Sequence, residues 1–391
     1  MDYNKILSDK IKSIKPSGIR KFFDIAAQTE GVISLGVGEP DFPTPWSVRK
    51  VAIDTIERKR TVYTANPGLI ELRKAICDRL DKKMGLKYDT DEVIITVGGS
   101  EAIDLAIRAI IDPGDEVLVV EPSFVCYAPI TELSGGVVVP LETSADTDFK
   151  LTAETLRSKI TDKTKMLILP YPNNPTGGIM TKEELLPIAE VLKNTNIVVL
   201  SDEIYSELTY GGEKHTSIAQ LDGMKERTII VNGFSKAYAM TGWRLGYVTG
   251  PKPIIEQMLK LHQYAIMSSP TISQYAGIEA IKNCDGEIAK MVKEYDARRR
   301  LIVKEFNRMG LTCFEPKGAF YVFPCIKSTG LSSEEFCARL VEEYKVAIVP
   351  GNAFGNSGEG YVRVSYAYSI NHILEALKRI EAFLKSLENG K

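Results

Sequence analysis

Histidine and paired cysteine are scarce in this chain, and that scarcity excludes several kinds of functional site. The 391 residues include three histidines and six cysteines, and no two cysteines form a C-x-x-C pair. This composition argues against a structural zinc site and against a disulfide framework, so we expect free thiols and no metal. The G-x-S-x-G, G-x-x-x-x-G-K-[ST] and G-x-G-x-x-G motifs are missing as well. Hydrolase, phosphate-loop and dinucleotide-binding functions are therefore not favoured.

The sequence also lacks long hydrophobic runs and a dominant charge. No run approaches the roughly 18 apolar residues that a membrane-spanning helix needs, and the first fifteen residues are charged throughout, unlike a secretory signal. The net charge of −2 provides no basic surface for nucleic acid or for an anionic membrane. We therefore expect a cytoplasmic protein without nucleic-acid or membrane partners.

What the sequence does contain is an array of short apolar segments separated by helical patterns. Seven such segments read as buried strands, and helical stretches such as residues 181–193 separate several of them. Strands that alternate with helices form a mostly parallel sheet that helices cover on both faces, so the predicted fold is α/β. The predicted strands are residues 93–97, 116–120, 137–141, 166–169, 197–200, 228–231 and 246–249.

The character of the chain changes after a long predicted helix at residues 251–282, which Ser268-Ser269-Pro270 interrupts. The remaining residues predict a smaller α+β domain. We predict a large domain at residues 45–282 and a small domain made of residues 1–44 and 283–391. The elements predicted in the C-terminal part are a helix at 287–309, two β segments within 312–323, a helix opened by the capping box Ser332-x-x-Glu335, strands at 346–349 and 361–366, and a helix at 370–387.

One lysine in the predicted sheet has the surroundings of a reactive amine. Lys236 follows the buried strand at 228–231 in a turn, and Arg244 stands eight residues further along. Partial burial and a nearby arginine both disfavour the charged ammonium and lower the pKa of a lysine. A neutral amine is what a lysine needs to form a Schiff base with an aldehyde. On this stretch alone, an ordinary surface lysine is an equally good interpretation.

Other residues follow neighbouring strands at the edge where ligands of parallel sheets bind. Ser100, Glu101 and Ala102 belong to a small-residue turn before a helix, whose free N–H groups suit a phosphate. Phe124 follows the next strand and could stack on a planar ligand. A plain strand-to-helix turn and a core phenylalanine are the alternatives for these two features.

Two further strand ends carry side chains that suit a pyridine ring. Asn174 is flanked by prolines and offers a rigid amide that can donate a hydrogen bond to a ring oxygen. Asp202 could hold a buried cation, such as a protonated pyridine nitrogen, although a helix N-cap is the simpler interpretation. With Lys236 for an aldehyde, these side chains make up the set that a protein needs to hold pyridoxal 5′-phosphate.

The same residues belong to longer motifs, which are Ser235-Lys236-x-x-x-x-x-Gly242-Trp243-Arg244-Leu245-Gly246, Asn174-Pro175-Thr176-Gly177, Ser201-Asp202-Glu203-x-Tyr205 and Gly360-Tyr361-Val362-Arg363-x-Ser365. With them the chain resembles the class I/II (fold type I) pyridoxal-phosphate-dependent aminotransferases. The resemblance covers about residues 14–384. Residues 17–23, 240–243 and 317–321 look like the branch that includes aspartate, aromatic and N-acetyl-diaminopimelate aminotransferases. The resemblance to this family implies a large domain with a seven-stranded, mostly parallel sheet and a smaller α+β domain.

The resemblance implies a role at the cofactor for each matching residue. Lys236 is implied to bind the cofactor aldehyde and to move the substrate proton, and Asp202 is implied to pair with the pyridinium nitrogen. Asn174 and Tyr205 are implied to bond the phenolic oxygen. Phe124 is implied to stack on the ring, where many relatives have tryptophan or tyrosine.

Further roles are implied for the phosphate, for the substrate and for a second subunit. Arg363 resembles the arginine that grips the substrate α-carboxylate, with Gly38 and Asn174 assisting, and a guanidinium suits that task because it binds a carboxylate bidentately. Tyr63 is implied to reach the phosphate of the neighbouring subunit, which implies a homodimer with shared active sites. The residues implied to bind the phosphate within one chain are Ser235, Arg244 and the turn Ser100-Glu101-Ala102.

The implied activity is amino-group transfer from an L-amino acid, with aspartate or an aromatic amino acid favoured, to a 2-oxo acid such as 2-oxoglutarate by a ping-pong mechanism. A carbon–sulfur lyase or an aminocyclopropane-carboxylate-synthase-like enzyme on the same fold stays open. A cofactor-sensing regulator is disfavoured, because the resemblance begins near Ile14 and leaves no room for a DNA-binding domain. The identity of the amino-acid donor also stays open. Residues 263–274 contain no arginine that could bind the side-chain carboxylate of aspartate, so Lys260, Arg20 or a residue of a partner subunit would have to bind it instead.

Overall fold

The computed structural model describes residues 1–16, 18 and 30–389. Its N-terminal part contains two short exposed helices, α1 (Tyr3–Ile6) and α2 (Asp9–Ser13), and the two-residue strand β1 (Ile33–Ser34). The predicted motif at residues 17–23, which includes Arg20, lies outside the described residues apart from Gly18. Among the described residues, no helix is both long and apolar enough to cross a membrane.

A seven-stranded sheet forms the centre of the larger part of the molecule. Its strands are β2 (Val93–Thr96), β3 (Glu116–Glu121), β4 (Val137–Glu142), β5 (Thr164–Leu169), β6 (Val198–Asp202), β7 (Thr228–Gly233) and β8 (Gly246–Thr249). They lie in the order β2-β8-β7-β6-β5-β3-β4. β8 is antiparallel to both of its neighbours, and the other pairs are parallel. The predicted, mostly parallel sheet is confirmed.

Helices cover both faces of this sheet, and they are α3 (Trp46–Glu57), α4 (Ile70–Met84), α5 (Gly98–Ile110), α6 (Tyr127–Leu133), α7 (Ala153–Lys159), α8 (Lys182–Leu192), α9 (Lys252–Ala265) and α10 (Thr271–Asn283). Alternate residues of a strand point to opposite faces. Ile94 and Ile229 accordingly pack with Met258 of α9 on one face. Ile95 packs with Leu72 of α4 on the other. Burial on both faces explains why these strands are apolar without alternation.

The start of α5 differs from the prediction. The helix begins at Gly98, so Ser100, Glu101 and Ala102 lie in its first turns and not in a turn that precedes it. Gly98 has a φ of +76°, a left-handed conformation that glycine adopts without strain. The chain can therefore pass from β2 into the helix without a separate turn. The predicted break at residues 268–270 is confirmed, because α9 and α10 are separate helices.

A second, smaller part of the molecule follows α10. Its elements are α11 (Asp285–Arg308), β9 (Tyr321–Val322), α12 (Ser333–Tyr344), β10 (Val346–Ala347), β11 (Val349–Pro350), β12 (Val362–Ser365) and α13 (Ile370–Asn389). β12 lies between β11 and β9 in a small antiparallel sheet, while β1 pairs in parallel with β10. The capping box between Ser332 and Glu335 is confirmed. The N-terminal strand thus joins this smaller part, and the exact domain limits at residues 45 and 283 stay a prediction.

Two details predicted for the smaller part are wrong. Residues 312–323 contain one strand, β9, and not two. Pro316 has no N–H to contribute to a β ladder, and Ala319 has a φ of +56°, which is not an extended conformation. The strand predicted at 346–349 is divided into β10 and β11, because its two halves pair with different strands.

Candidate active site

A cavity of about 340 Å³ opens at the carboxyl ends of the parallel strands. It collects residues from several strand ends of the large sheet and from β9 and β12 of the smaller part. The predicted site residues Tyr63, Glu101 and Ala102 do not line it. The predicted site residues that do line it are Gly38, Ser100, Phe124, Asn174, Asp202, Tyr205, Ser235, Lys236, Arg244 and Arg363.

Lys236 lies in the turn after β7, where the sequence predicted it, and its amine faces the cavity. Its Nζ donates a hydrogen bond to the carbonyl oxygen of Gly38 at 2.7 Å. Burial and the nearby Arg363 guanidinium lower the pKa of Lys236 to about 8. The neutral amine, which is the form that acts as a nucleophile and a base, is therefore reached at a much lower pH than for an ordinary lysine.

Asp202 is the last residue of β6 and is buried. Its Oδ2 accepts a hydrogen bond from the Tyr127 hydroxyl at 2.7 Å, and its Oδ1 accepts one from the N–H of Ile204 at 3.1 Å. Burial raises the pKa of Asp202, although the Tyr127 hydrogen bond opposes that effect. A buried carboxylate of this kind is stabilised by a cationic partner in the cavity. Sequence reasoning missed Tyr127, and its only signal was an aromatic residue three positions after Phe124.

Arg363, on β12, is a buried guanidinium at the opposite side of the cavity. Its Nη1 donates to Asn174 Oδ1 at 2.9 Å, and its Nη2 donates to the carbonyl oxygen of Gly36. Its Nε is buried and has no hydrogen-bond partner among the described residues. Burial lowers the pKa of Arg363. An unpaired buried cation is costly, so this group is suited to bind an anionic ligand.

Tyr205 and Tyr321 close the cavity between Lys236 and Arg363. Their hydroxyl groups lie 2.8 Å apart, and burial raises the pKa of both tyrosines. A Cβ added to Gly38 would stand 1.9 Å from the Tyr321 hydroxyl oxygen, so only glycine fits at that position. Tyr321 belongs to the motif at residues 317–321, but no role could be predicted for it, because nothing in the sequence brings it beside Tyr205.

Another end of the cavity is built to hold an anion. Residues 98–100 open α5, and the first N–H groups of a helix have no partner within it. Arg244 lies against this helix end, since its Nη2 would be 2.6 Å from a Cβ on Gly98. Ser100 and Ser235 add hydroxyl groups to the same lining. A helix N-terminus beside a guanidinium is a favourable phosphate site.

Two residues predicted for this anion site have other surroundings. The carboxylate of Glu101 turns away from the cavity and accepts a hydrogen bond from the N–H of Val97. Ala102 is fully buried in the apolar core. The part of the predicted turn that faces the cavity is therefore at Ser100 and its neighbour Gly99.

Tyr63 also lies outside the cavity. Its side chain is 81% exposed, next to Val62, which is 74% exposed. Two hydrogen bonds join this region to the chain around the break between α9 and α10. Thr271 Oγ1, at the start of α10, donates to the Val62 carbonyl, and Asn66 Nδ2 donates to the Met267 carbonyl. Because Tyr63 was predicted to reach the phosphate of a neighbouring subunit, its place outside the cavity of its own chain leaves that role a prediction.

Comparison with known proteins shows the family to which these features belong. Residues 30–380 match the sequence model of the family described as Aminotransferase class I and II. The chain is a member of this family. It is an enzyme that transfers amino groups, in agreement with the resemblance seen in its motifs.

Relatives and solved structures agree with this assignment over nearly the whole chain. A putative aminotransferase of Bacillus subtilis, YugH, is 53% identical over 97% of this chain and 98% of its own length. The aspartate aminotransferase of Pyrococcus abyssi is 46% identical over 97% of this chain and 98% of its own length. The crystal structure of an aromatic aminotransferase from Pyrococcus horikoshii has a TM-score of 0.90 and 44% identity, covering 94% of this chain and 99% of that one.

Members of this family depend on pyridoxal 5′-phosphate, and the residues of this aminotransferase fit that group. The amine with a lowered pKa suits the aldehyde, and the buried carboxylate of Asp202 suits the ring nitrogen. The helix end beside Arg244 suits the phosphate. The orphaned Nε of Arg363 remains for a substrate carboxylate.

Proposed function

We propose that this aminotransferase moves an amino group from an L-amino acid, aspartate or an aromatic one, to a 2-oxo acid such as 2-oxoglutarate by a ping-pong mechanism. The observation that carries the proposal is the meeting of Lys236, Asp202 and Arg363 in one cavity. Pyridoxal 5′-phosphate, when bound, supplies an electron sink for the carbon that loses its proton. The residues of the chain do the rest by binding, orienting and proton transfer.

Lys236 is proposed as both the attachment point of the cofactor aldehyde and the base. Its Nζ would take the proton from the substrate α-carbon and would return it during the transfer of the amino group. The lowered pKa supports this role, because a base works best when its pKa lies near the working pH. Gly38, whose carbonyl oxygen holds Nζ, would keep the amine at the substrate side of the cavity.

Asp202, Asn174, Tyr205 and Phe124 are proposed to orient the ring. Asp202 would keep the ring nitrogen protonated, with Tyr127 holding the carboxylate in place. Asn174 and Tyr205 would bond the phenolic oxygen, and Phe124 would cover one ring face.

Ser100, Ser235 and Arg244 are proposed to hold the phosphate, with the N–H groups at the start of α5. Arg363 is proposed to bind the α-carboxylate of every substrate. The unpaired Nε supports a bidentate contact, since two parallel N–H groups are needed for it.

The donor is proposed from the relatives and from the charges in the cavity. The relatives described above are named for aspartate and for aromatic substrates. Three cations line the described cavity, Lys236, Arg244 and Arg363, and each has a proposed task. Lys260, one of the side-chain partners considered for aspartate, is exposed and bonds Gln257 on the same helix. The described lining therefore favours an aromatic donor, with aspartate requiring a cation from Arg20 or from a partner subunit.

An absorbance experiment tests the proposed reaction and its donor together. The purified enzyme is mixed with single amino acids, without a 2-oxo acid, and the band of the lysine-linked cofactor is followed. Aspartate or an aromatic amino acid should convert it to the band of the amine form, and Lys236→Ala should lack the starting band. Release of pyruvate and ammonia with the band unchanged would instead establish a lyase.

A homodimer with shared active sites is also proposed. The exposure of Tyr63 and Val62 supports it, as does the nearby Tyr264, which is 92% exposed, because large exposed side chains in one region indicate an interface. A second copy would cover this surface and bring its Tyr63 toward the phosphate. Sedimentation equilibrium should give twice the chain mass of 43.3 kDa, and a monomer mass at working concentration would contradict the proposal.

The cytoplasm is proposed as the place where the enzyme works. Its six cysteines are all free, and three of them are buried. Free thiols are typical of reducing compartments, where disulfides do not persist. Fractionation of cells that express the protein would check this proposal.

A further inference from the structure

A carboxylate that the proposed reaction does not use lies directly behind the anion end of the cavity. Glu101 Oε1 is 2.6 Å from Nδ1 of His262, and Glu101 Oε2 accepts the N–H of Val97. The His262 side chain is fully buried, and the Glu101 side chain is only 10% exposed. These two residues form a closed polar pair inside an otherwise apolar region between α5 and α9.

The pair connects the first turn of α5 with the last turn of α9. His262 belongs to α9, and its carbonyl oxygen accepts the N–H groups of Ile266 and Met267, which end that helix. Glu101 reaches back to Val97, the residue that precedes α5, in the manner of a capping carboxylate. Movement of the α5 start relative to α9 would therefore break a buried hydrogen bond.

The two ring nitrogens of His262 have different surroundings. The distance between Nδ1 of His262 and Oε1 of Glu101 is that of a hydrogen bond, so this ring nitrogen has a partner. Nε2 of His262 is buried and has no partner among the described residues. Burial of a carboxylate and of a ring nitrogen without a partner lowers the stability of the folded protein. An arrangement that costs stability and lies beside a functional site is suited to hold that site in one geometry.

Gly98 lies between this pair and the cavity. On the cavity side it is in close contact with Arg244, which leaves no room for a Cβ. On the other side the hydrogen bond from Val97 to Glu101 fixes the peptide that leads into it. The same bond turns the Glu101 charge away from the space where a phosphate would lie, which limits repulsion between two anions.

We propose that Glu101 and His262 are positioning residues for the cofactor phosphate. They hold the N–H groups of residues 98–100 in the direction of the cavity before the cofactor arrives. A site that is ordered in advance binds more tightly, because less freedom is lost on binding. The inference rests on the proposed cofactor geometry and adds two residues that do not touch the cofactor.

The test compares two probes that differ only in the phosphate. Dissociation constants of pyridoxal 5′-phosphate and of pyridoxal are measured on the full-length protein after removal of the cofactor. The variants are Glu101→Ala, His262→Leu and the conservative His262→Asn, which keeps a donor near the position of Nδ1. Glu335→Ala serves as the matched control, because it removes a capping carboxylate from α12, and Glu335 does not line the cavity.

We expect Glu101→Ala and His262→Leu to weaken pyridoxal 5′-phosphate binding roughly tenfold, the size of one lost cap, while pyridoxal binding changes less than about twofold. His262→Asn should restore most of the affinity, and Glu335→Ala should leave both constants unchanged. Equal weakening of both probes, or no weakening of either, would overturn the inference.

Two further outcomes keep the inference separate from the proposed function. If the wild-type protein itself binds pyridoxal as tightly as pyridoxal 5′-phosphate, the proposed phosphate site fails, whatever Glu101 does. If Glu101→Ala does not fold, the result from His262→Asn and His262→Leu decides the matter, because the pair predicts that their phosphate-dependent affinities differ.

Discussion

Replacement of Lys236 by methionine should make the cofactor-free protein more stable while removing its activity. Lys236 has its pKa lowered from 10.5 to about 8, with burial as the main cause and Arg363 next. Since each pH unit corresponds to about 1.4 kcal/mol, keeping this ammonium charged in the folded protein costs roughly 3 kcal/mol. Methionine has a similar volume and no charge. It loses the hydrogen bond to Gly38, which is worth about 1 kcal/mol, so a net gain of about 2 kcal/mol remains.

The gain in stability of the Lys236→Met protein over the wild type should decrease as the pH rises. Below pH 8 the lysine is charged in both the folded and the unfolded protein, and the full cost is present. Between pH 8 and about 10.5 the folded protein has lost this proton while the unfolded chain still holds it, so the cost fades. The advantage of Lys236→Met should therefore be largest at pH 7 and small near pH 10.

Urea unfolding of both proteins without cofactor, at equal protein concentration, measures this advantage. Equal concentration is needed because a dimer would make the stability depend on it. Lys82→Met, which changes an exposed lysine of α4, is the control and should have little effect. A Lys236→Met protein that is less stable than the wild type at pH 7, or a difference that stays constant to pH 10, would refute the reasoning.

Two other substitutions test the neighbours of this lysine. Tyr127→Phe removes a donor from the Asp202 carboxylate, whose pKa is already raised by burial, so that pKa should rise further. As the pH is lowered, kcat/KM of the variant should then begin to fall at a higher pH than that of the wild type. On the plateau above that pH, kcat/KM should be roughly tenfold lower. An acid limb at the same pH in both proteins would contradict the role of Tyr127. Arg363→Lys keeps the charge but not the fork that bonds Asn174 and Gly36, so kcat/KM should fall roughly 10- to 100-fold for every amino acid and 2-oxo acid. A loss confined to one substrate in steady-state kinetics would make Arg363 a side-chain selector instead.

Much of the fold could be predicted because its signals are local. Strands buried on both faces, such as β5 and β7, are continuous apolar runs. The segment Ser268-Ser269-Pro270 marks the break between α9 and α10. The boundary errors are local as well. β6 extends to Asp202, since pairing with β7 continues through a polar residue that hydrophobicity cannot mark as part of a strand.

The sequence by itself was enough to name most of the residues that meet in the cavity, because each stands at the end of a strand or within a motif. Lys236, Asp202 and Asn174 could be named without a structure, since parallel strands bring their carboxyl ends to one edge. Arg363 could be named only from its motif, because it lies on β12 of the small antiparallel sheet.

Only the tertiary structure decided what surrounds them. Tyr127 and Tyr321 reach Asp202 and Tyr205 from distant parts of the chain, and Glu101 turns from the predicted phosphate site to His262, which lies 161 residues away. Side-chain direction and contact between remote segments depend on how the elements pack. A pattern of neighbouring residues contains no record of that packing.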